Sequence, residues 1–175
     1  MATVAEENTL GSLDFNSQLF HAIDDAVNSA LQMCDSKIRC VGVSLMPGQE
    51  SGAITGMIGV HGNVSGFVSV NMSERFAIKA VEGLLSEKFE KLSSQVIDGA
   101  GELTNMVVGG IKAALANSKW GFSNITVPSV IVGQNFMIAY SKGLEYITVS
   151  FEHEDEDAFM IDDRMLYVSM SLLTL

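Results

Sequence analysis

Asp98, Glu102 and Asn105 stand in the segment 95–111, QVIDGAGELTNMVVGGI. On a helix advancing about 100° per residue they fall within roughly 60° of one another. Val96, Leu103, Met106, Val107 and Ile111 lie largely off that stripe, so the helix packs inward and turns two carboxylates and an amide outward. Carboxylates take charge-assisted hydrogen bonds from cations. An amide donates and accepts without titrating. Such a stripe is more often a plain solvated helix face, and Glu-x-x-Asn alone recurs by chance in many helices. Pro128 sets this one apart, because it closes the pattern Asp98-x3-Glu102-x2-Asn105-x22-Pro128. Gly99, Gly101, Gly109 and Gly110 interrupt the same helix, each at a cost of about 1 kcal/mol relative to Ala. They imply close backbone approach, to the chain's own sheet or to a partner. Gly99 and Gly101, just before Glu102, are expected to keep the stripe unobstructed.

The elements that must position the stripe follow from periodicity. Residues 1–13 read as a loose tail and 14–175 as a single domain. Leu19, Phe20, Ile23, Val27, Ala30, Leu31 and Cys34 predict a first helix with one buried face. Strands are expected over 38–46, 53–60 and 64–70, with turns at Pro47-Gly48 and His61-Gly62-Asn63. Ser73 can cap a helix over 73–85, and the long helix is expected over about 90–117. Strands return at 127–132, 136–141, 146–151 and 165–173. In the last of these, Leu166, Val168, Met170 and Leu172 share a face by period two. Helix plus meander thus occurs twice, which predicts an α+β fold with helices segregated on an antiparallel sheet.

Composition narrows the function. The 175 residues are 47% hydrophobic and 18% charged, the balance of a well-buried domain. A net charge of −11 repels polyphosphate, so nucleic acid is excluded as a partner. The acidic run Glu152-His153-Glu154-Asp155-Glu156-Asp157 reads as a solvated hairpin loop, with a patch for a basic partner as the alternative. Cys34 and Cys40 share no metal spacing and read as buried thiols; His21, His61 and His153 are scattered. There is no signal-peptide pattern and no long apolar run, so a cytoplasmic protein without a membrane span is expected.

The four-residue pattern resembles the signature of the CheC/CheX/FliY family of chemotaxis phosphatases: Asp or Ser, then Glu, Asn and Pro at these intervals. The segment 127–133 also resembles the strand that family places after its long helix. The likeness covers about residues 90–135, and the order of elements extends it over most of the chain. It implies a CheC/CheX-like fold of two pseudo-repeated helix-plus-three-strand halves. It implies a protein-aspartate phosphatase that hydrolyses the phosphoaspartate of a CheY-like response-regulator receiver and ends a chemotaxis-type signal. By that resemblance Asn105 orients the attacking water and Glu102 pairs with the receiver's active-site Lys. Asp98 supports docking, and Pro128, with no N–H and a fixed φ, shapes the start of the following strand. The chain would need no cofactor of its own, the Mg²⁺ belonging to the receiver. The alternative is a non-catalytic module that docks a receiver, or that serves the flagellar switch or the deamidase CheD as CheC-like domains do. Intact Glu102 and Asn105 favour the catalyst.

CheC-type members carry the signature on two helices. The first helix here offers His21-x3-Asp25-x2-Asn28, and the same spacing reaches Ser51 in place of proline. Asp25 and Asn28 therefore read as a vestigial second site. One site makes the chain CheX-like, and such members resemble homodimers whose sheets join across the subunit boundary. The alternating C-terminal strand is the expected joining edge.

Overall fold

The computed structural model describes residues 16–138 and 143–175; the expected tail at 1–13 lies outside them. Helix α1 (Ser17–Met33) opens at Asn16, whose side chain accepts from the N–H groups of Gln18 at 3.1 Å and Leu19 at 3.2 Å. Its apolar stripe, Leu19, Ile23, Val27 and Leu31, is buried. There follow β1 (Ile38–Ser44), a two-residue β2 (Gln49–Glu50), β3 (Ile54–Gly62) and β4 (Val64–Met72). Helix α2 (Glu74–Leu85) is capped by Ser73. Helix α3 (Ser94–Leu115) begins later than expected, because Ser93 accepts from the N–H of Val96 and fixes its first turn. Residues 86–93 turn instead, with the Glu82 carboxylate holding the N–H of Phe89 at 2.9 Å. Then come β5 (Phe122–Ile125), β6 (Ser129–Val132), β7 (Phe136–Met137), β8 (Glu145–His153) and β9 (Met165–Thr174).

The fold is α+β, with the main sheet ordered β1-β8-β9-β4-β3-β5 and β6 pairing farther along β3; every pairing is antiparallel. Two consecutive meanders are not what forms. Only β3 and β4 pair as sequence neighbours in the first half, while β1 crosses to β8. From the centre outward the halves mirror each other: β4 beside β9, then β3 and β8, then β5–β6 and β1. This pseudo-two-fold order places the most apolar strands of both halves together over one core. Val68, Val70, Val168 and Met170 there are fully buried.

Strand β9 has the expected alternation, with Leu166, Val168, Met170 and Leu172 all at 1% exposure or less. It is not an edge. Both its sides are occupied, by β8 and β4, so the expectation that it joins two subunits is corrected. Among the described residues the free edges of the main sheet are β1 and the broken strand β5–β6. Strand β5 was not anticipated. Of the expected strand 136–141 only Phe136–Met137 pairs, with β2, and 139–141 lie outside the described residues.

The acidic run is solvated at Glu154, Glu156 and Asp157, as expected, but structural at Glu152 and Asp155. Glu152 accepts from Arg39 at 2.6 Å and lies 3.1 Å from Arg164. Asp155, 8% exposed, is held by Arg75 through Nε at 2.6 Å and Nη2 at 3.2 Å. That hydrogen bond holds the Asp155 carboxyl below the usual carboxylate range against the desolvation that would raise it. Cys34 is buried, and burial pushes its thiol up to about 11. Cys40 is exposed, contrary to expectation, because β1 is a sheet edge.

Glu50 is the reverse of Asp155. It is 7% exposed and takes no ion pair or side-chain hydrogen bond among the described residues, so burial raises its pKa above the ordinary range. A raised carboxyl favours folding below its unfolded pKa and loses that contribution as pH rises through the folded value. Glu50→Gln is therefore expected to be more stable than wild type at neutral pH, with the difference vanishing toward about pH 4. Urea unfolding at the two pH values measures it; equal midpoints at neutral pH would refute the assignment.

Candidate active site

Helix α3 is seated by close approaches that use glycines. A Cβ on Gly99 would stand 2.6 Å from the Val81 methyls of α2. One on Gly110 would stand 2.8 Å from the Ala26 Cβ of α1. On the sheet side Gly56 of β3 faces Thr104, whose hydroxyl donates to the Ala100 carbonyl at 2.8 Å. Gly101 completes the seat: a Cβ there would lie 3.3 Å from Val130 and 3.9 Å from the Pro128 ring. Gly99 and Gly101 are thus buried packing positions. The expectation that they clear space around the outward stripe is corrected, since they face the core and the edge strand.

Seated this way, α3 buries Val96, Ala100, Leu103, Val107 and Ile111 and turns Asp98 and Glu102 to solvent, with Asn105 half-buried between them and the fold. Among the described residues these three side chains take no ion pair and no hydrogen bond. Their full donor and acceptor capacity faces outward.

Pro128 lies where the edge strand breaks. Both β5 and β6 pair with β3, and the ladder is interrupted between them. There the N–H of Thr126 donates to the Gly59 carbonyl at 2.9 Å, and the Gly59 N–H donates back to the Thr126 hydroxyl at 2.9 Å. A residue without an N–H is tolerated at such a break. The Pro128 ring then supports α3 at Gly101, immediately before Glu102. Val127, 82% exposed, projects beside it.

The first helix differs in a way that bears on chemistry. The register that lays its N-cap Asn16 over Ser93 also lays Asp25 over Glu102 and Asn28 over Asn105. Asp25 and Asn28 are exposed. The Asn28 amide, however, donates to the Asp24 carbonyl at 2.8 Å and to the Asp24 carboxylate at 3.2 Å. The residue four before Asn105 is Gly101, which has no side chain to capture the amide. The two asparagines share a place in the pseudo-repeat, but only Asn105 is unengaged. Among the described residues no cluster of three or more His, Cys, Asp or Glu side chains is placed to hold a metal ion, and no helix is long and apolar enough to cross a membrane.

Solved structures define the class. A CheC-like superfamily protein from Shewanella sp. PV-4 is 24% identical, with a TM-score of 0.75 over 91% of this chain and 99% of its own. Chemotaxis protein CheX from Vibrio vulnificus is 22% identical, with a TM-score of 0.75 over 89% and 99%. A chain of the CheX–CheY–BeF3–Mg²⁺ complex from Borrelia burgdorferi is 20% identical, with a TM-score of 0.69 over 92% and 99%. These likenesses establish a CheC-like fold. No curated protein matches in sequence. The family model of the chemotaxis phosphatase CheX matches residues 54–152, more than half of the chain, and the chain belongs to that family. The matched span contains Asp98, Glu102, Asn105 and Pro128 and leaves out Asp25 and Asn28.

Proposed function

We propose that this chain hydrolyses the phosphoaspartate of a CheY-like receiver domain, with Asn105 orienting the attacking water and Glu102 docking the receiver's active-site Lys. The observation that carries the reading is the unengaged carboxamide of Asn105 beside exposed Glu102, on a helix fixed by its glycine seats. Acyl-phosphate hydrolysis requires a water in line with phosphorus and compensated charge on the transferring oxygens. A receiver that brings its own Mg²⁺ and Lys supplies the charge. The amide supplies the orientation, and rigid seating of α3 keeps it in place. Family membership supports the reading, as does the similarity to a chain solved in complex with CheY, BeF3 and Mg²⁺; trifluoroberyllate is a general stand-in for a phosphoryl group. Asp98, one turn before Glu102, adds a second carboxylate for docking. Where two copies assemble through their sheets, the joining edge is β1 or β5–β6, and a single species at monomer mass in sedimentation would exclude a dimer.

The test is loss of phosphate from Mg²⁺-bound phosphoreceivers of the same genome. Wild type is expected to accelerate it. Glu102→Ala is expected to raise KM about tenfold or more, the size of a lost charge-assisted contact at a docking surface. Unaltered KM in that variant would remove Glu102 from docking. Receiver binding without acceleration would leave a docking module rather than a catalyst.

A further inference from the structure

The stripe on α3 does not end at Asn105. Gly109 and Lys112 continue it, so that Asp98, Glu102, Asn105, Gly109 and Lys112 fall within roughly 80° on the helix. The first three and the last have side chains to offer; Gly109 has none. Its neighbours in the chain explain themselves, Gly110 against Ala26 and Gly101 against Val130 and Pro128. Gly109 does not: among the described residues nothing lies within 4 Å of a Cβ placed there. The sequence thus gives up helix stability at a position where the fold itself would accept any small side chain. A rule broken without internal compensation marks a place where something outside the chain comes close.

The surroundings of Gly109 have a shape and a charge. It lines an open groove of about 430 Å³ between the last turns of α3 and the β3–β4 turn, with Gly62, Asn63, Lys112, Ala113 and Phe122 among its walls. Lys112 is the one charged residue of that lining, and among the described residues it has no ion-pair partner. In a chain of net charge −11, an unpaired cation at the end of a catalytic stripe selects for a carboxylate on the incoming surface.

We propose that this groove is the second half of the receiver-docking surface: a carboxylate-bearing segment of the receiver lies across Gly109 with its backbone close to α3 and its carboxylate on Lys112. The inference rests on the phosphatase reading and adds to it a second contact with the receiver, beyond the one made by Glu102 and Asn105. Gly109 and Lys112 are docking residues and touch no reacting atom.

The experiment follows dephosphorylation of the receiver over a concentration series, with wild type, Gly109→Ala, Gly109→Leu and Lys112→Glu, and Lys37→Glu, just before β1, as the charge-matched control. Gly109→Leu and Lys112→Glu are expected to raise KM about tenfold with kcat within about twofold, and Gly109→Ala to raise KM by less. Lys112→Glu is further expected to flatten or reverse the salt dependence of kcat/KM, an effect that a merely structural role would not produce. Gly109→Ala is expected to unfold at a denaturant concentration equal to or above that of wild type. Wild-type turnover with KM unmoved by both substitutions, or moved equally by Lys37→Glu, overturns the inference and leaves the phosphatase reading standing. A lower unfolding midpoint for Gly109→Ala also overturns it, because the glycine would then serve the fold. Absence of any wild-type turnover overturns the phosphatase reading, and this inference falls with it.

Discussion

Asn105→Ala is expected to lower kcat for phosphoreceiver hydrolysis by on the order of 100-fold while leaving the fold and receiver affinity nearly unchanged. The kinetic loss follows from the proposed role: without the amide, the in-line water samples orientations that do not react, and misplacement on the ångström scale costs about that factor. The fold is spared because among the described residues the carboxamide takes no hydrogen bond, and it is only half-buried, so truncation leaves none of their buried groups unsatisfied. Affinity is spared because docking charge resides on Glu102. Asn105→Asp sharpens the test. It keeps the size of the side chain and replaces the N–H₂ donor by a second anionic oxygen facing the transferring phosphoryl group. It is expected to be as impaired as Asn105→Ala, and worse in affinity. Single-turnover loss of phosphate at saturating enzyme measures the step directly. Retention of near-wild-type kcat by Asn105→Ala would remove the residue from the mechanism.

What the sequence made legible was local. The stripe on α3 was readable because Asp98, Glu102 and Asn105 recur with the helical period among Val96, Leu103, Val107 and Ile111, and periodicity survives any tertiary arrangement. The alternation of β9 was readable for the same reason. Which strand pairs with which was not. The segments that became β1, β3, β8 and β9 are all apolar and β-branched, and nothing in a strand's own residues names its neighbour; the crossing of β1 to β8 is decided by burial of both halves over one core. Hence the alternation of β9 does not say whether it lies at an edge or inside the sheet. The glycines show the same limit: that α3 tolerates several was evident, but only the positions of Val81, Ala26 and Val130 say which glycine packs and which does not. The burial of Glu50 had no signal, since it sits among turn residues that read as solvated. One signal in the sequence does distinguish the two asparagines. Asp24 stands four residues before Asn28, within reach of its amide on a helix, while Gly101 stands four before Asn105. That contrast alone separates an engaged asparagine from a free one.

Gly56→Ala is expected to destabilise the chain by about 3 kcal/mol, the upper part of the range for overpacking a filled core. Gly56 is buried in β3 directly beneath α3, and a Cβ built there would fall on the Thr104 hydroxyl, 2.8 Å from its Cβ and 2.9 Å from its methyl. Thr104 cannot swing aside cheaply. It is fully buried, β-branched, and bonded to the Ala100 carbonyl, so α3 itself must lift from the sheet. Lifting α3 also disturbs the seats at Gly101 and Gly110, and with them the position of Asn105 between its neighbours on the stripe. Activity is therefore expected to fall even under conditions where the variant remains folded, which distinguishes displacement of the helix from simple loss of native protein. Thr104→Ala in the same chain removes the hydroxyl and the methyl and is expected to recover most of the lost stability. The two substitutions are then strongly non-additive in a double-mutant cycle. Urea unfolding of the four proteins measures the coupling. Additive effects would mean that β3 and α3 do not meet at these residues, and the seating of the active helix would have to be sought elsewhere.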